Sequence, residues 1–572
     1  MKQLLLKQLF QIIILFIICI SGYAQNFNLK INGTNKTENT IIDSLNYIKK
    51  HSNTKSVINE ANTTIAKLYK KGYLDIKTLE NHKENDSTYT YKFSLGNKIK
   101  YTYIYIGINN SFFDSSEIKN DTLIIPYEET ENFINQKIIE AENQGFALSK
   151  IKLENIRRKN LIIYADLNFN SEKKRSVNSI IINYTNDNRK DYFPKGHLKQ
   201  LNKKYVSKTF NQKTIKDLYD DINNFGFVNQ TKYPEILFTN DSTKVYIYIE
   251  KRKTNTFDGY IGFSNDENKK LNLNGYLDIT LQNTIKAGEQ FSLYWKSDGN
   301  QQRTFNTKLE IPYIFKSPLG IKAQLNIFKQ DSTFQNTKTA IDLGYYINYD
   351  SKLYLGYQST ESSDIQNTNN TSISDFKNSF LTSTFDYIKK DDVNYLLPKK
   401  ANINLTFGFG KRNTNNQPET VASSNQFYTN LNISYNFELN ERNFVNINSQ
   451  NFYLNSKNYI VNELFRFGGI YSIRGFLENS LQANFFSSIL TEYRYIVSKN
   501  LYINSILDYG IYQDLTRNKN KTKIDKLTGI GAGATIQTAN GILKINLTNS
   551  ITDDQNLKLY NTIINICYNV KF

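Results

Sequence analysis

The feature that most constrains this chain is a two-residue hydrophobic alternation in its second half. Between residues 401 and 409 every odd position is apolar, and the even positions carry Asn, Thr or Gly. The same alternation covers 431–439 and 530–536. Because successive side chains of a β-strand point to opposite faces, each segment predicts a strand with one apolar face and one small or polar face.

The length and number of these segments indicate a particular kind of β-protein. Strands of soluble sandwiches have about 5–6 residues, whereas longer strands with one apolar and one polar face are typical of transmembrane barrels. Sixteen segments are predicted, an even number, as expected for a barrel made by one bacterial chain. They are 256–264, 271–283, 288–297, 302–312, 319–330, 339–349, 351–359, 379–390, 400–412, 424–438, 443–454, 483–496, 500–511, 527–538, 541–549 and 559–571.

We therefore expect the chain to span the membrane as a β-barrel and not as a set of helices. A mean hydropathy of -0.54 excludes a polytopic helical protein, which needs repeated apolar runs of about 20 residues. Residues 1–24 predict a secretory signal peptide, because Lys2 and Lys7 precede the apolar stretch 9–20 and small residues follow it. We expect an outer-membrane protein of a bacterium, with residues 253–572 forming a 16-stranded antiparallel transmembrane β-barrel.

Residues before the barrel contain a threefold repeat. A Gly followed by an aromatic residue ends a helical pattern at Gly72, Gly145 and Gly226, where a left-handed stop is expected. A strand precedes each helical region and two strands follow it, so the repeat predicts tandem α+β domains of order β-α-α-β-β, each with a three-stranded sheet covered by helices. The predicted domains are 25–97, 98–175 and 176–252.

This repeat resembles the polypeptide-transport-associated (POTRA) domain, which occurs in tandem in the periplasm. The resemblance implies binding of unfolded client chains or partner proteins, partly by addition of a client strand to a sheet edge. Such addition is physically reasonable, because an edge strand offers unpaired backbone groups whatever the client sequence.

The long connection 455–482 carries a motif that narrows the resemblance. It contains Arg474-Gly475-Phe476, placed after the eleventh predicted strand. Together with the repeats and the sixteen segments, this closely resembles the BamA/TamA superfamily of outer-membrane assembly factors. In that family the loop folds into the lumen and its Arg pairs with acidic residues of strands twelve and thirteen, which implies Glu492 and Asp508 as the partners here. A contact that only stabilises the barrel remains an equally open alternative.

The resemblance implies a function in membrane assembly. POTRA domains would receive unfolded outer-membrane proteins, with accessory periplasmic or lipoprotein subunits as candidate partners, and the barrel would insert or translocate them. We expect a weak lateral seam between the first and last strands, because glycines weaken the first one, with Phe572 closing the barrel. The seam residues predicted are Phe257, Gly259, Ile261, Ile564, Ile566 and Tyr568.

A secretion transporter, a passive pore and an enzyme are the alternatives to an assembly factor. A polypeptide-secreting transporter of the two-partner type usually carries two POTRA domains and a plug helix, so it is the second choice. A passive pore lacks tandem periplasmic repeats. An enzyme is not expected, because all three His precede the barrel and no catalytic, metal-binding or cofactor-binding spacing is present. The net charge of +18 comes from singly scattered Lys residues, which does not indicate a nucleic-acid site.

Overall fold

The computed structural model describes most of the chain after the predicted leader. The described ranges are 27–107, 118–119, 121–185, 191–265, 271–298, 302–366, 373–390, 396–397, 399–414, 423–517, 523–538, 541–553 and 557–571. They divide into two compact units, one of residues 1–175 with 209–212 and the other of residues 176–208 with 213–572.

The first α+β domain is built on a four-stranded sheet of order β2-β1-β4-β3. Its longer helix is amphipathic: Val57, Ala61 and Leu68 are buried, and the Asn53 side chain caps its first turn by accepting from the Ser56 amide. Gly72 follows this helix at φ +97°, a conformation that glycine adopts without steric cost. The elements are β1 (Phe27–Gly33), α1 (Lys36–Asp43), β2 (Lys50–His51), α2 (Thr54–Lys70), β3 (Lys77–Asn85) and β4 (Thr88–Ser94).

The second domain has a five-stranded sheet of order β6-β7-β5-β9-β8. A single helix is present among its described residues, and Gly145 follows it at φ +102°. The elements are β5 (Tyr101–Tyr105), β6 (Ile118–Lys119), β7 (Thr122–Pro126), α3 (Thr130–Asn143), β8 (Lys150–Lys159) and β9 (Ile162–Asn170).

The third domain follows the predicted order most closely, with two helices between its first strand and the rest of its sheet. β13 pairs with β10, β11 and β12. The elements are β10 (Ser179–Tyr184), α4 (Lys195–Tyr205), α5 (Gln212–Asn224), β11 (Val228–Gln230), β12 (Glu235–Phe238) and β13 (Thr243–Lys251).

All three sheets are wider than the three strands expected from the sequence. The additional strands are short, such as β2 and β6 with two residues each. A strand of two residues is too short to show a hydrophobic period, so sequence periodicity cannot reveal it. The POTRA-like plan of a helix-covered sheet is unchanged by these additions.

Sixteen strands form a closed antiparallel barrel after the third domain. Most begin and end within a few residues of the predicted segments. The sixth begins at 334 and not at 339, and the last begins at 563, after a short 3-10 turn at 559–561. The strands are β14 (Thr256–Asn265), β15 (Leu271–Gln282), β16 (Gln290–Asp298), β17 (Gln302–Ile311), β18 (Leu319–Gln330), β19 (Phe334–Tyr346), β20 (Ser351–Asp364), β21 (Phe376–Lys390), β22 (Lys399–Thr414), β23 (Ser423–Asn440), β24 (Asn443–Asn455), β27 (Phe485–Ser498), β28 (Leu501–Gln513), β29 (Asp525–Gln537), β30 (Gly541–Thr552) and β31 (Ile563–Lys571); β25 (Phe465–Phe467) and β26 (Leu481–Ala483) lie in a loop.

The barrel wall has an apolar outside and a polar inside. On β19, Ile341 and Leu343 are exposed on the outer surface, while Asp342 between them is buried toward the lumen. Ile489 of β27 and Leu507 of β28 are likewise exposed on the outer face. Glu492 and Asp508 of the same two strands are buried on the inner face. An outer face of this kind is what lipid requires of a transmembrane barrel.

Within the described ranges, no helix combines the length and apolar character needed to cross a membrane.

The third domain is docked on turns at one end of the barrel. Lys390 Nζ donates to the Asn224 carbonyl oxygen at 2.6 Å, and Gln282 and Tyr349 each donate to the Phe225 carbonyl oxygen at 3.2 Å. These carbonyls terminate α5, where the helix dipole is negative, so a Lys there is favourable. The end of α5 is thereby tied to three different turns of the barrel.

Candidate functional site

The longest connection of the barrel folds into its lumen. This segment, residues 456–484 between β24 and β27, is called the lumen loop. A short 3-10 turn at Val461–Glu463 opens it, and β25 then pairs with β26 as a small hairpin. The hairpin returns the chain to the wall and leaves residues 468–480 as the tip.

Arg474, at the tip, contacts two carboxylates of the wall. Its Nε and Nη2 donate to the two carboxylate oxygens of Asp508 at 2.7 and 2.5 Å, and its backbone amide donates to Asp508 Oδ2 at 3.0 Å. Nη1 donates to Glu492 Oε1. Arg474 and Glu492 are each 4% exposed and Asp508 is 0% exposed. A bidentate, buried pair of this kind is among the strongest polar contacts a loop can make.

Glu492 is shared among three cations. Arg494 donates to Glu492 Oε2 from Nε at 2.7 Å, and Lys544 Nζ lies 3.4 Å from Glu492 Oε1. The carboxylate therefore joins the loop tip to β27 and β30. Such a network tolerates burial because each carboxylate has at least one cationic partner.

Glycines allow the tip to approach the wall closely. Gly475 has φ +90°, and a Cβ at this position would lie 2.4 Å from the Asn549 carbonyl oxygen. A Cβ on Gly529 would lie 2.2 Å from the Arg474 carbonyl oxygen. Any other residue at either position would move the Arg474 backbone away from its partners.

Apolar side chains fill the space beside the ion pairs. Phe467 stacks on Phe486 with ring centroids 4.1 Å apart, and Ile473 is fully buried next to them. Phe476 is partly buried against this cluster. The tip is thus held by a polar contact and an apolar one.

A second ion pair anchors the start of the lumen loop. Arg412 Nη1 on β22 donates to Glu463 Oε1, with 3% and 1% of the two side chains exposed, and it also donates to the Asn458 carbonyl oxygen at 3.0 Å. Gln426 Nε2 donates to the other Glu463 oxygen at 2.8 Å. Asn462 Nδ2 donates to Ser362 Oγ at 2.7 Å.

A third ion pair ties the end of the tip to the first strands. Glu478 accepts from Lys296 Nζ on β16. The lumen loop therefore contacts strands around most of the barrel. A cavity of about 390 Å³ remains between the loop and the wall, lined by residues that include Lys338, Gln358 and Arg466.

The first and last strands meet over a short stretch. β14 pairs with β31 at Thr256–Lys571 and Phe257–Val570. By contrast, β14 pairs with β15 along the whole of 256–265, and β31 pairs with β30 over 563–570. The seam thus has far fewer ladder hydrogen bonds than the neighbouring joints.

The predicted seam residues lie on these two strands, though most lie beyond the paired stretch. Gly259 and Ile261 stand opposite Leu277 and Gly275 of β15. Phe257, Ile564, Ile566 and Tyr568 are exposed on the outer surface. Phe572 lies outside the described residues, so its predicted closing role stays a prediction.

Sequence reasoning did not single out Arg412, Glu463, Glu478, Lys296 or Lys544. Alternation along β22 does place Arg412 on the same face as the polar positions 402, 404 and 406, so its inward direction is readable from the sequence. Its partner is 51 residues away in the chain and has no sequence signal. No cluster of three or more His, Cys, Asp or Glu that could hold a metal occurs in the described part of the chain.

A closed 16-stranded barrel with an apolar outer face, preceded by POTRA-like domains, defines an outer-membrane β-barrel protein. The Arg-Gly-Phe loop is folded against strands twelve and thirteen, which is the contact that the resemblance to the BamA/TamA superfamily implies.

Comparison with known proteins gives matches among solved structures alone. BamA from Haemophilus ducreyi lacking POTRA domains 1–3 is similar at 13% identity and a TM-score of 0.47, over 81% of this chain and 97% of that chain. CdiB from Acinetobacter baumannii is similar at 14% identity and a TM-score of 0.49, over 78% of this chain and 83% of that one. CdiB from Escherichia coli has 11% identity and a TM-score of 0.48, over 91% and 98%. No protein-family model and no curated protein matches the sequence. Similarity at these scores supports no inference about the role of this chain.

Proposed function

We propose that this protein is an outer-membrane assembly factor. Its POTRA-like domains receive unfolded outer-membrane polypeptides in the periplasm, and its barrel inserts them into the membrane through the seam between β14 and β31. Lipoprotein or periplasmic subunits are candidate accessory partners. The chemistry required is backbone pairing and not catalysis, so no cofactor is needed.

The short seam is the observation that carries this proposal. A barrel strand cannot leave its neighbours without exposing unpaired amides and carbonyls to lipid, which costs several kcal/mol per group. Opening between β14 and β31 breaks the pairing at two positions of each strand. A client strand entering there would satisfy the exposed edges of both strands by adding to them.

Edge strands of the POTRA-like domains offer a site for the preceding step. β3 is the outermost strand of its sheet, and all nine of its residues are exposed. β8 occupies the same position in the second sheet and is exposed over 154–159. An extended client can pair with such an edge through its backbone, so recognition does not depend on client sequence.

A disulfide across the seam tests the proposal. Phe257 and Val570 are opposite each other, so Phe257→Cys with Val570→Cys in a Cys567→Ser background locks β14 to β31. The matched control is Ile279→Cys with Leu293→Cys, which links the fully paired β15 and β16. We expect oxidation of the seam pair to stop insertion of a urea-denatured barrel into protein-containing vesicles, and reduction to restore it. The control pair should insert clients in both states.

The same variant distinguishes the alternative functions. A two-partner secretion transporter moves its client through the lumen, so an oxidised seam would leave secretion intact; a passive pore would keep its permeability. If the oxidised seam variant inserts clients as fast as the reduced one, seam-mediated insertion is wrong. Depletion of the protein followed by comparison of the outer-membrane proteome then separates a general factor, which affects many barrels, from a specialist, which affects a few.

A further inference from the structure

A cavity lies between helix α4 of the third domain and the periplasmic edge of the barrel. Its volume is about 390 Å³. One side carries Lys203 and Lys204 of α4 together with Asp221 of α5, and the other carries Tyr345 of β19 with Pro318 and Ile347 of two barrel turns. A basic side facing an apolar and aromatic side is the chemistry of a membrane–water boundary.

The apolar side of this cavity continues the lipid-facing surface of the barrel. Ile341, Leu343, Tyr345 and Ile347 alternate along β19 and the turn that follows it, and all four are exposed. Strand residues with this alternation face the same side of the wall. Tyr345 therefore belongs to the row that contacts lipid, and the cavity lies where that row ends at the periplasmic leaflet.

Helix α4 presents a row of lysines at this level. Lys195, Lys199 and Lys203 are four residues apart, so they share one face of the helix. All three are exposed, and they form no ion pair with any residue in the described ranges. Lys204 differs, because it pairs with Asp221 at 2.7 Å. The row thus carries a positive charge that no described side chain neutralises.

A barrel turn contacts helix α4 and fixes its position relative to the edge of the barrel. Gln200 Nε2 on α4 donates to the Lys316 carbonyl oxygen at 2.8 Å, and Gly196 packs against Tyr313. In the same turn Phe315 is 93% exposed and has φ +53°. A large aromatic side chain held outward at the edge of a barrel is suited to the interfacial region of a bilayer.

We propose that α4 and the adjoining turns bind the headgroup of an anionic phospholipid in the periplasmic leaflet. The phosphate lies against the row of Lys195, Lys199 and Lys203, and the glycerol and upper acyl chains lie against Tyr345, Ile347 and Phe315. Polybasic surfaces gain about 1 kcal/mol per Lys at an anionic membrane surface. The site couples the position of the third domain to the lipid around the barrel.

Fluorescence quenching by brominated lipids tests this proposal on the full chain. Trp295 is the single Trp, so Phe315→Trp in a Trp295→Phe background places one fluorophore at the site. The protein is reconstituted in phosphatidylcholine bilayers with increasing mole fractions of dibrominated phosphatidylglycerol or dibrominated phosphatidylcholine. We expect half-maximal quenching at a mole fraction of phosphatidylglycerol at least about fivefold lower than that of phosphatidylcholine, since each lysine that contacts the headgroup contributes a factor of about five.

Matched lysine variants test whether the row of lysines causes the preference for phosphatidylglycerol over phosphatidylcholine. Replacing Lys195, Lys199 and Lys203 by Gln should remove it. Replacing Lys208, Lys213 and Lys216, which are exposed in the same domain, by Gln makes the same change in net charge and should leave it unchanged. Equal quenching by the two lipids, or equal effects of the two triple variants, overturns the proposal.

Free inorganic phosphate is tested as a competitor at millimolar concentration; if it abolishes the preference, the site binds phosphate and not a lipid headgroup.

Discussion

The pairing of the first and last barrel strands differs from the pairing of β27 and β28, the strands that carry Glu492 and Asp508. At the seam, β14 and β31 are joined at Thr256–Lys571 and Phe257–Val570. At the opposite extreme, β27 and β28 pair from 485 to 498, and the Arg474 contacts to Glu492 and Asp508 reinforce that joint from inside. One barrel thus contains a short strand pairing at the seam and a long one, between β27 and β28, that the lumen loop also contacts.

The proposed opening of the seam requires this difference, a short strand pairing at one place and extended pairings elsewhere. The lumen loop contacts β22, β27 and β28 in the second half of the barrel. The third domain contacts three barrel turns, through Gln282, Tyr349 and Lys390. The lumen loop itself contacts both sides of the seam, because Glu478 pairs with Lys296 on β16. In the proposed opening, the β14–β31 pairing is lost while the other strand pairings of the barrel remain.

The largest expected effect comes from removing the Arg474 side chain. Arg474→Ala leaves Asp508 without its guanidinium partner in a site that is 0% exposed, and breaking a buried pair in this way costs about 3–5 kcal/mol. We expect the barrel of this variant to unfold at a lower temperature in heat-modifiability gels and client assembly to fall. Arg474→Lys should be intermediate, because it keeps the charge and loses the bidentate geometry. Unchanged stability and wild-type client assembly in Arg474→Ala would contradict the importance of this contact.

A smaller effect is expected at the other end of the lumen loop. Arg412→Ala leaves one buried carboxylate, Glu463, which retains its bond from Gln426, so the cost should be about 2–3 kcal/mol, below that of Arg474→Ala. Lys411→Ala on the exposed face of the same strand is the control and should be neutral within about 0.5 kcal/mol. Protease cleavage at residues 455–465 should rise in Arg412→Ala and not in the control. Equal cleavage in both would show that this end needs no anchor.

The contact between the third domain and the barrel turns is expected to weaken in acid. His197 is fully buried, with rings of Phe193, Phe225, Phe227, Tyr313 and Tyr349 around it, and neither ring nitrogen has a hydrogen-bond partner among described residues. Burial, with a smaller contribution from the charge of Lys352, lowers the pKa of His197 from 6.5 to about 3.

The sign of the pH effect follows from that shift. Below pH 6.5 the unfolded or undocked domain binds a proton that the docked form excludes, so stability falls by up to about 1.4 kcal/mol per pH unit until pH 3. We expect the thermal midpoint of the third domain to fall more steeply between pH 6.5 and 4 in the wild type than in His197→Leu. His82→Gln, at an exposed position of β3, should follow the wild type. Identical pH slopes in wild type and His197→Leu would contradict this prediction.

The smallest effect is expected at Lys544, which links Glu492 to the seam side of the barrel. Its Nζ lies 3.4 Å from Glu492 Oε1, and 28% of its side chain is exposed. Pairs that are partly solvated contribute about 0–1 kcal/mol, and Glu492 keeps Arg474 and Arg494. Lys544→Met should therefore change barrel stability by less than about 1 kcal/mol in the same gels. A loss as large as that of Arg474→Ala would show that Lys544 is part of the anchor.

The strand pattern could be predicted because each lipid-facing row repeats locally. β22 and β23 each have five successive apolar residues at odd-numbered positions, and both strands are predicted within a few residues of their bounds. The start of β19 was placed five residues late, because Phe334–Lys338 carries Gln, Asn, Thr and Lys on both faces and shows no apolar alternation.

Contacts between distant segments were less accessible to sequence reasoning. Arg474 and its two acidic neighbours were expected from a family resemblance, and the structure brings these three residues together. Glu463 and Glu478 were not expected, because a single acidic residue in a loop has no period and no fixed distance to its partner. The length of pairing at the seam is also invisible in sequence, since it depends on the register of strands separated by the whole barrel.

The lumen loop also has an electrical consequence. Barrels of sixteen strands commonly enclose a water-filled channel, and ions cross such channels readily. Here the tip, its hairpin and three ion pairs occupy the lumen, and cavities of about 390 and 280 Å³ lie beside them. In planar bilayers under voltage the wild-type protein should conduct almost no ionic current, with brief current steps whenever the lumen loop leaves the lumen. Those steps would record, one molecule at a time, how often the plug is released.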